Sequence, residues 1–305
     1  MAEVLRLDEA LARYAVHLRR RPISENTRKA FWGDLNLFVR FLTHGDGAAV
    51  ARMRVSDLRA DHIRAFLEHE ERRRGANSPK SLERRLTSLK VFFRWLHESG
   101  YLAHDPAEGI PYRPAPEPLP AYLTDAQAEA VMRVAHALAH APKPDTRPWA
   151  IIQLILETGV KKSECLRLTR DDVDLGERLV HVRYAEQRLK FKERSLPISR
   201  ECVEALRTHI ERTQPIGRLF TCTGRNLEYI FNRRIAPEAG LSSLTFEMLR
   251  WTCALRDYRA GEMHAEAMQH KFGLSPVGWS EMEAKLVRLL AQARAASADA
   301  QAERA

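Results

Sequence analysis

KSLERRLTSLKVFFRWLHESGYLAHDP, residues Lys80–Pro106, is the stretch on which the fold reading turns. Leu82, Leu86, Leu89, Phe93 and Leu96 recur at three- and four-residue steps, the period of one face of an α-helix. The helix begins near Ser78-Pro79. Its outer positions hold Lys80, Arg84, Thr87, Lys90 and Arg94, so one side is apolar and the other basic. Such a helix packs into a small bundle and still offers its bases to phosphates. A solvated basic face is the plainer alternative. Arg72-Arg73-Arg74, just upstream, tilts the balance towards nucleic acid.

Working upstream, three more helices complete a first domain. Leu5–Arg20 places Leu5, Leu11, Tyr14 and Leu18 at helical intervals. Ser24 caps a second helix with the stripe Phe31, Leu35, Phe38 and Leu42, which Gly45 and Gly47 end. A third follows Arg59-Ala60-Asp61, with Ile63, Phe66 and Leu67 facing inward.

Downstream the character changes. Pro106, Pro111, Pro114, Pro116, Pro118 and Pro120 exclude helix interiors and central strands, so Gly100–Pro120 reads as an extended connector and the domain boundary. Leu123-Thr124-Asp125 caps a helix through Val134. Pro148–Thr158 is a largely apolar helix stopped by Gly159, and residues 162–169 continue as a short one. Leu179–Tyr184 and Arg188–Ile198 form the strongest strand signal and predict a hairpin with Lys190, Lys192 and Arg194 on its second arm. From Arg200 the pattern is helical again. The tail, Ala291–Ala305, reads as a loose terminal helix or as disordered.

The chain has 305 residues, enough for two domains, and 45% apolar residues, enough for packed cores. Lys and Arg number 49 against 40 acids, a net +9. Residues 1–113 hold 21 bases and 15 acids, so the excess lies mainly in the first third. Charge of this kind fits a polyanionic partner. The four cysteines are scattered without a CxxC pair, which fits reduced thiols rather than disulfides or a zinc site. His136 and His140 sit four apart, a spacing that seats metals on a helix, but no third ligand stands near, and two histidines in an Ala-rich helix is the preferred reading. The expectation is therefore no metal and no cofactor. No apolar run nears the ~18 residues of a membrane span and the polar start does not read as a signal peptide, so a cytoplasmic, nucleoid-associated location is expected.

In order along the chain, six segments resemble the tyrosine recombinases (phage integrases). SENTRKAFWGDLNLFVRFL (Ser24–Leu42) is similar to the first signature of their core-binding domain, and Lys80–Pro106 to its last helix and exit turn. LPAYLTDAQAEAVM (Leu119–Met132) looks like the opening of their catalytic domain. LILETGVKKSECLRLTRDDVDL (Leu154–Leu175) is similar to the segment of the first catalytic arginine. LKFKERSLPIS (Leu189–Ser199) resembles the hairpin of the catalytic lysine, and AGLSSLTFEMLRWTCALRDYRAG (Ala239–Gly261) falls where the His-x-x-Arg box belongs.

The resemblance implies a mainly α fold with a small antiparallel sheet: a helical SAM-like domain (1–110), a Pro-rich linker (111–120) and an integrase catalytic-type domain (121–305) closing on duplex DNA as a clamp. It implies a tyrosine nucleophile attacking DNA phosphate, assisted by two arginines, a lysine and histidines. Carried over, that set is incomplete. The first arginine position holds Lys161, and a lysine is a point charge where arginine is a planar fork. The hairpin lysine is Lys190, or Lys192 in another register. The first histidine of the box is Glu247, the arginine is kept as Arg250, and Trp251 replaces the next histidine. The Gly-His pair reads Gly273-Leu274, and the tyrosine position falls at Met282 or Glu283. No tyrosine occurs from Arg259 to Ala305. Tyr258 lies too near Arg250 to replace it, and Ser280 lacks an activating base.

These positions, Lys161, Lys190, Glu247, Arg250, Leu274 and Glu283, are therefore expected to be vestigial, with a Glu247–Lys161 or Glu247–Arg250 ion pair filling the former site. Expected DNA contacts are Thr27, Arg28, Arg84, Arg85, Lys90 and Arg94 in the first domain, and Lys161, Lys190, Lys192 and Arg250 in the second. Arg84 and Arg85 are adjacent, so both cannot face the same way. The leading expectation is a double-stranded-DNA binder without strand cleavage. The alternatives are a divergent recombinase using another nucleophile or an active partner, and a protein-interaction scaffold. Ala284–Ala293 either docks into a neighbouring copy or recombinase, or folds back on its own chain.

Overall fold

A computed structural model of the chain describes residues 5–73, 78–112 and 118–302, with side chains to Ala293. Contacts divide it into two units, Met1–Glu117 and Pro118–Ala305. Arg74, Pro114 and Pro116, singled out above, lie outside the described residues, as do the side chains of the tail beyond Ala293.

The first unit holds α1 (Leu7–Arg20), α2 (Glu25–Leu42), α3 (Gly47–Arg52), α4 (Ala60–Arg72) and α5 (Pro79–Glu98). Ser24 and Ser78 accept the backbone N–H groups of Thr27 and Ser81, capping α2 and α5, and Pro79 sits in the first turn of α5 where its missing N–H costs nothing. The predicted stripes turn inward. Leu35 and Phe38 of α2, Phe66 of α4 and Leu89, Phe93 and Leu96 of α5 form one buried core, with Phe38 edge-on to Phe66 at 5.4 Å. Each fully buried side chain of this size contributes about 1.5–3 kcal/mol.

Gly47 does not end α2. Thr43 closes that helix, Gly45 takes the left-handed turn at φ 84°, and Asp46 then caps α3 through the Ala48 N–H, so Gly47 is the first residue of a new helix.

The second unit holds α6 (Asp125–Ala139), α7 (Arg147–Thr158), α8 (Lys162–Cys165), β1 (Val173–Asp174), β2 (Leu179–Val182), β3 (Arg194–Pro197), α9 (Arg200–Thr213), α10 (Gly224–Ile230), α11 (Phe246–Ala260), α12 (Ala265–Lys271) and α13 (Pro276–Ala302). The strands form an antiparallel sheet ordered β1-β2-β3, registered by Val173↔Val180 and Val182↔Arg194. Helix α7 is the hub: Ile151, Leu154 and Ile155 are fully buried, and α6, α9 and α11 all pack on it. The short helix expected over 162–169 stops at Cys165 and gives way to a 3-10 turn, Arg170–Asp172.

The predicted hairpin is shorter than its sequence. The ladder ends at Val182↔Arg194, and Gln187–Lys192 is a 3-10 turn rather than a strand arm. The Glu193 carboxylate takes the N–H of Tyr184 at 2.7 Å and Nζ of Lys190 at 2.8 Å, and the N–H groups of Leu189 and Glu193 close tight turns onto Glu186 and Lys190 carbonyls. Those bonds use the donors a longer strand would need.

No helix among the described residues is long and apolar enough to cross a membrane. His136 and His140 of α6 stack at 4.2 Å between ring centroids and lean on Trp149, and no third His, Cys, Asp or Glu joins them among the described residues.

Gly159 ends α7 at φ 62°, where an added Cβ would collide with the Phe272 ring. Gly159→Ala combines left-handed strain with overpacking and should destabilise the second unit by about 2–4 kcal/mol in urea denaturation. A loss below about 0.5 kcal/mol would show that Phe272 moves aside freely.

Candidate nucleic-acid interface

The site is built where α7 ends. Gly159 turns the chain, Lys161 follows as the residue before α8, and the Glu164 carboxylate caps that helix by accepting the Lys161 N–H at 2.8 Å. Glu164 is itself fully buried and pairs with Arg194 of β3 through two bonds, 3.1 and 2.8 Å. It also accepts the Tyr184 hydroxyl. Although burial raises its pKa, the Arg194 guanidinium and these hydrogen bonds outweigh that effect and hold the carboxyl down at about 2. Arg194 Nε donates to the Lys271 carbonyl at the end of α12, and a Cβ on Gly273 would meet the same guanidinium.

Glu164 also attracts Lys161 and Arg250, but its hydrogen bonds go to Arg194, Tyr184 and the Lys161 N–H, and neither cation forms an ion pair with it. Arg250 of α11 donates to the carbonyls of Gly159 at 2.6 Å and Phe272 at 3.1 Å, and lies 5.2 Å from the centre of the Phe272 ring. It is buried and bonded to backbone oxygens rather than to a carboxylate. Lys161 is half-buried, and its ammonium pKa falls to about 8: desolvation is the main cause, followed by repulsion from Arg250, while attraction to Glu164 opposes them and Lys192 and Arg194 add smaller repulsions. Neither Lys161 nor Lys192 makes an ion pair among the described residues. A half-buried lysine depressed by its cationic neighbours is a place where an anion would be stabilising.

The structure separates the two hairpin lysines. Lys192 acts on Lys161, whereas Lys190 turns to Glu193. The expected ion pair of Glu247 is absent. Glu247 is exposed at the start of α11 and accepts the Trp251 indole N–H at 2.8 Å, one helical turn on, while both arms of Arg250 are taken by carbonyls. Leu274 is half-buried in the core formed by α11, α12 and α13. Met282 is buried in that core with Trp251 and Trp279, and Glu283 beside it is half-buried.

In the first unit the predicted contacts divide. Arg85 is only 7% exposed and pairs with Glu70 of α4 and Asp34 of α2, so it braces the bundle instead of facing a ligand. Its neighbour Arg84 is exposed and bonds Asp34 from the other side. Thr27 bonds Ser24, and Arg28 bonds the Leu18 carbonyl and Glu25. Lys90 donates to the Glu108 carbonyl at 3.3 Å and lies 4.9 Å from the Tyr112 ring centre. Arg94 is exposed with no partner among the described residues. Arg72 and Arg73 are paired with Glu68 and Glu70.

Sequence reasoning missed Glu164, Tyr184 and the carbonyls of Gly159 and Phe272. Glu164 carried one signal, its place three residues after Lys161, the offset at which a carboxylate caps a helix.

Residues 121–273 match the phage integrase family and residues 11–100 match its N-terminal SAM-like domain. The chain belongs to the phage integrase family. Among the relatives of this integrase-family chain is "Tyrosine recombinase XerC" of Roseiflexus sp. (strain RS-1), 28% identical over 277 residues, which cover 86% of this chain and 84% of that one. The XerC of Mycobacterium leprae (strain TN) is 32% identical over 194 residues, 63% and 61% of the two chains. The fold is shared with a lambda integrase dimer bound to a COC' core site (TM-score 0.71, 17% identity, 92% and 78% covered). It is also shared with the Tn1549 transposon integrase in complex with a circular intermediate DNA (TM-score 0.69, 18% identity, 92% and 94% covered).

A bound phosphate raises the Lys161 pKa above its ligand-free value of about 8, so the hold is complete below that value and weakens as pH rises above it towards the pKa of the bound form. Duplex affinity measured by fluorescence anisotropy should therefore fall between pH 7 and 9, and Lys161→Arg, charged throughout, should remove the step. A step that survives in the arginine variant belongs to another group. Glu247→Gln removes an exposed carboxylate beside Arg250 and should raise duplex affinity about two- to fivefold; unchanged affinity would show that Glu247 does not repel the ligand.

Proposed function

We propose that the chain is a double-stranded-DNA-binding member of the integrase family that grips backbone phosphate without cutting it. One observation carries this reading. Lys161, Lys192 and Arg250 gather without an ion pair of their own among the described residues, beside a Glu164 that is paired with Arg194, while the positions of the family's tyrosine hold Met282 and Glu283. Phosphoryl transfer through a protein nucleophile needs that nucleophile, whereas electrostatic grip needs the cations alone. Tyr258 supports the same view, since it packs into the core of α11 and α13, 6.5 Å from the Trp279 ring. Ser280 is exposed on α13, between Trp279 and Glu281.

In this reading Arg84, Lys90 and Arg94 of α5, with Thr27 and Arg28 at the head of α2, form the first unit's contact surface. Lys161, Lys190, Lys192 and Arg250 form the second unit's. Phosphate contacts set position, and base edges reached from the helices set sequence preference. The protein works on the nucleoid in the cytoplasm and needs no metal or cofactor to bind. Self-association, or association with an active recombinase, runs through α13 outside Trp279, Met282, Leu286 and Leu289, which are buried in the core shared with α11 of their own chain.

A nicked suicide duplex separates this reading from that of a divergent recombinase. Tight, salt-dependent binding without a covalent protein–DNA adduct on a denaturing gel is expected, and an adduct overturns it. Lys161→Ala with Lys192→Ala should weaken binding to all duplexes and reduce the slope of log affinity against log salt by about 2. Binding that ignores salt between 50 and 200 mM would overturn the phosphate grip.

A further inference from the structure

The turn Gln187–Lys192 carries a feature that phosphate contact leaves unexplained. Of the chain's eleven phenylalanines, ten are buried or half-buried, and Phe191 is 64% exposed. A lone exposed apolar side chain is ordinary on a protein surface, so exposure alone decides nothing. Its setting is what matters. Phe191 stands between Lys190 and Lys192, and Lys192 Nζ lies 5.2 Å from its ring centre. The turn beneath it is fixed at both ends by the Leu189→Glu186 and Glu193→Lys190 backbone bonds, both 2.9 Å. Leu189 packs against the core and anchors the turn from below.

Resting on the DNA-binding reading above, we propose that Phe191 is a base-stacking wedge: Lys192 holds a phosphate, Glu193 pins Lys190 and the turn, and the ring enters a duplex at an unpaired or easily unstacked base. Aromatic rings stack on any base, and apolar wedges enter where the duplex is already weak. A ring presented on a hydrogen-bonded turn loses little freedom on binding. The occupant is therefore duplex DNA with a local defect in stacking.

The test uses the full chain and two 30-bp duplexes of one mixed sequence, one fully paired and one with a single unpaired 2-aminopurine at its centre. The wild type should prefer the second about tenfold, with quenching of the 2-aminopurine emission as the ring stacks on it. Phe191→Ala should lose the preference and the quenching but keep the salt slope, because no charge is removed, and Phe191→Trp should keep all three. Salt-dependent binding without the preference, or a preference that survives in Phe191→Ala, overturns the wedge and leaves the phosphate grip standing. Failure of the wild type to bind either duplex overturns both.

Discussion

The Glu164–Arg194 pair is the contact on which the second unit's site depends. Both side chains are completely buried, and the pair ties the start of α8 to β3 and, through Arg194 Nε, to the end of α12. Two charges withdrawn from water are tolerated there because the geometry is bidentate and the remaining oxygen lone pairs and N–H groups find partners in Tyr184, Lys161 and backbone carbonyls. Removing one partner from such a pair typically costs about 3–5 kcal/mol, since the other is left buried and uncompensated. The pair also decides the electrostatics around it. Glu164 pairs with Arg194 and only partly offsets Lys161 and Arg250, so the cluster with Lys192 keeps an excess of positive charge, and burial and Arg250 depress the Lys161 pKa to about 8.

A second knot of the same kind organises the first unit. Asp34 of α2 and Glu70 of α4 converge on Arg84, Arg85 and Ser88 of α5, all within or beside the apolar core. The basic character of α5 is thus divided. Part of it fastens three helices together, and the part that includes Arg94 reaches solvent.

Much of this was legible in the residue pattern. The stripes of α1, α2, α4 and α5 and the stop at Gly159 follow from helical period and capping chemistry, and the order of six segments gave the family. Three things were not legible. Arg85 reads as surface by its charge, and only its phase with Leu89 and Phe92 places it inward; its partners Asp34 and Glu70 lie 51 and 15 positions away. Residues 187–192 alternate like a strand, but the side chain of Glu193 captures the Tyr184 N–H and ends the ladder. Glu247 sits beside Arg250 in the chain, and its ion pair was a natural inference. The Trp251 indole, one turn further on, takes the carboxylate first, and two backbone carbonyls take Arg250.

Trp251 also serves as a prop for the last helix. Its indole N–H serves Glu247, and its ring fills the core that seats Trp279, Met282 and Leu286 of α13. A histidine there would open a void under α13 at a cost of about 2 kcal/mol or more. Packing of this kind narrows what the position tolerates: any smaller side chain gives up both the bond that holds Glu247 and the support beneath α13.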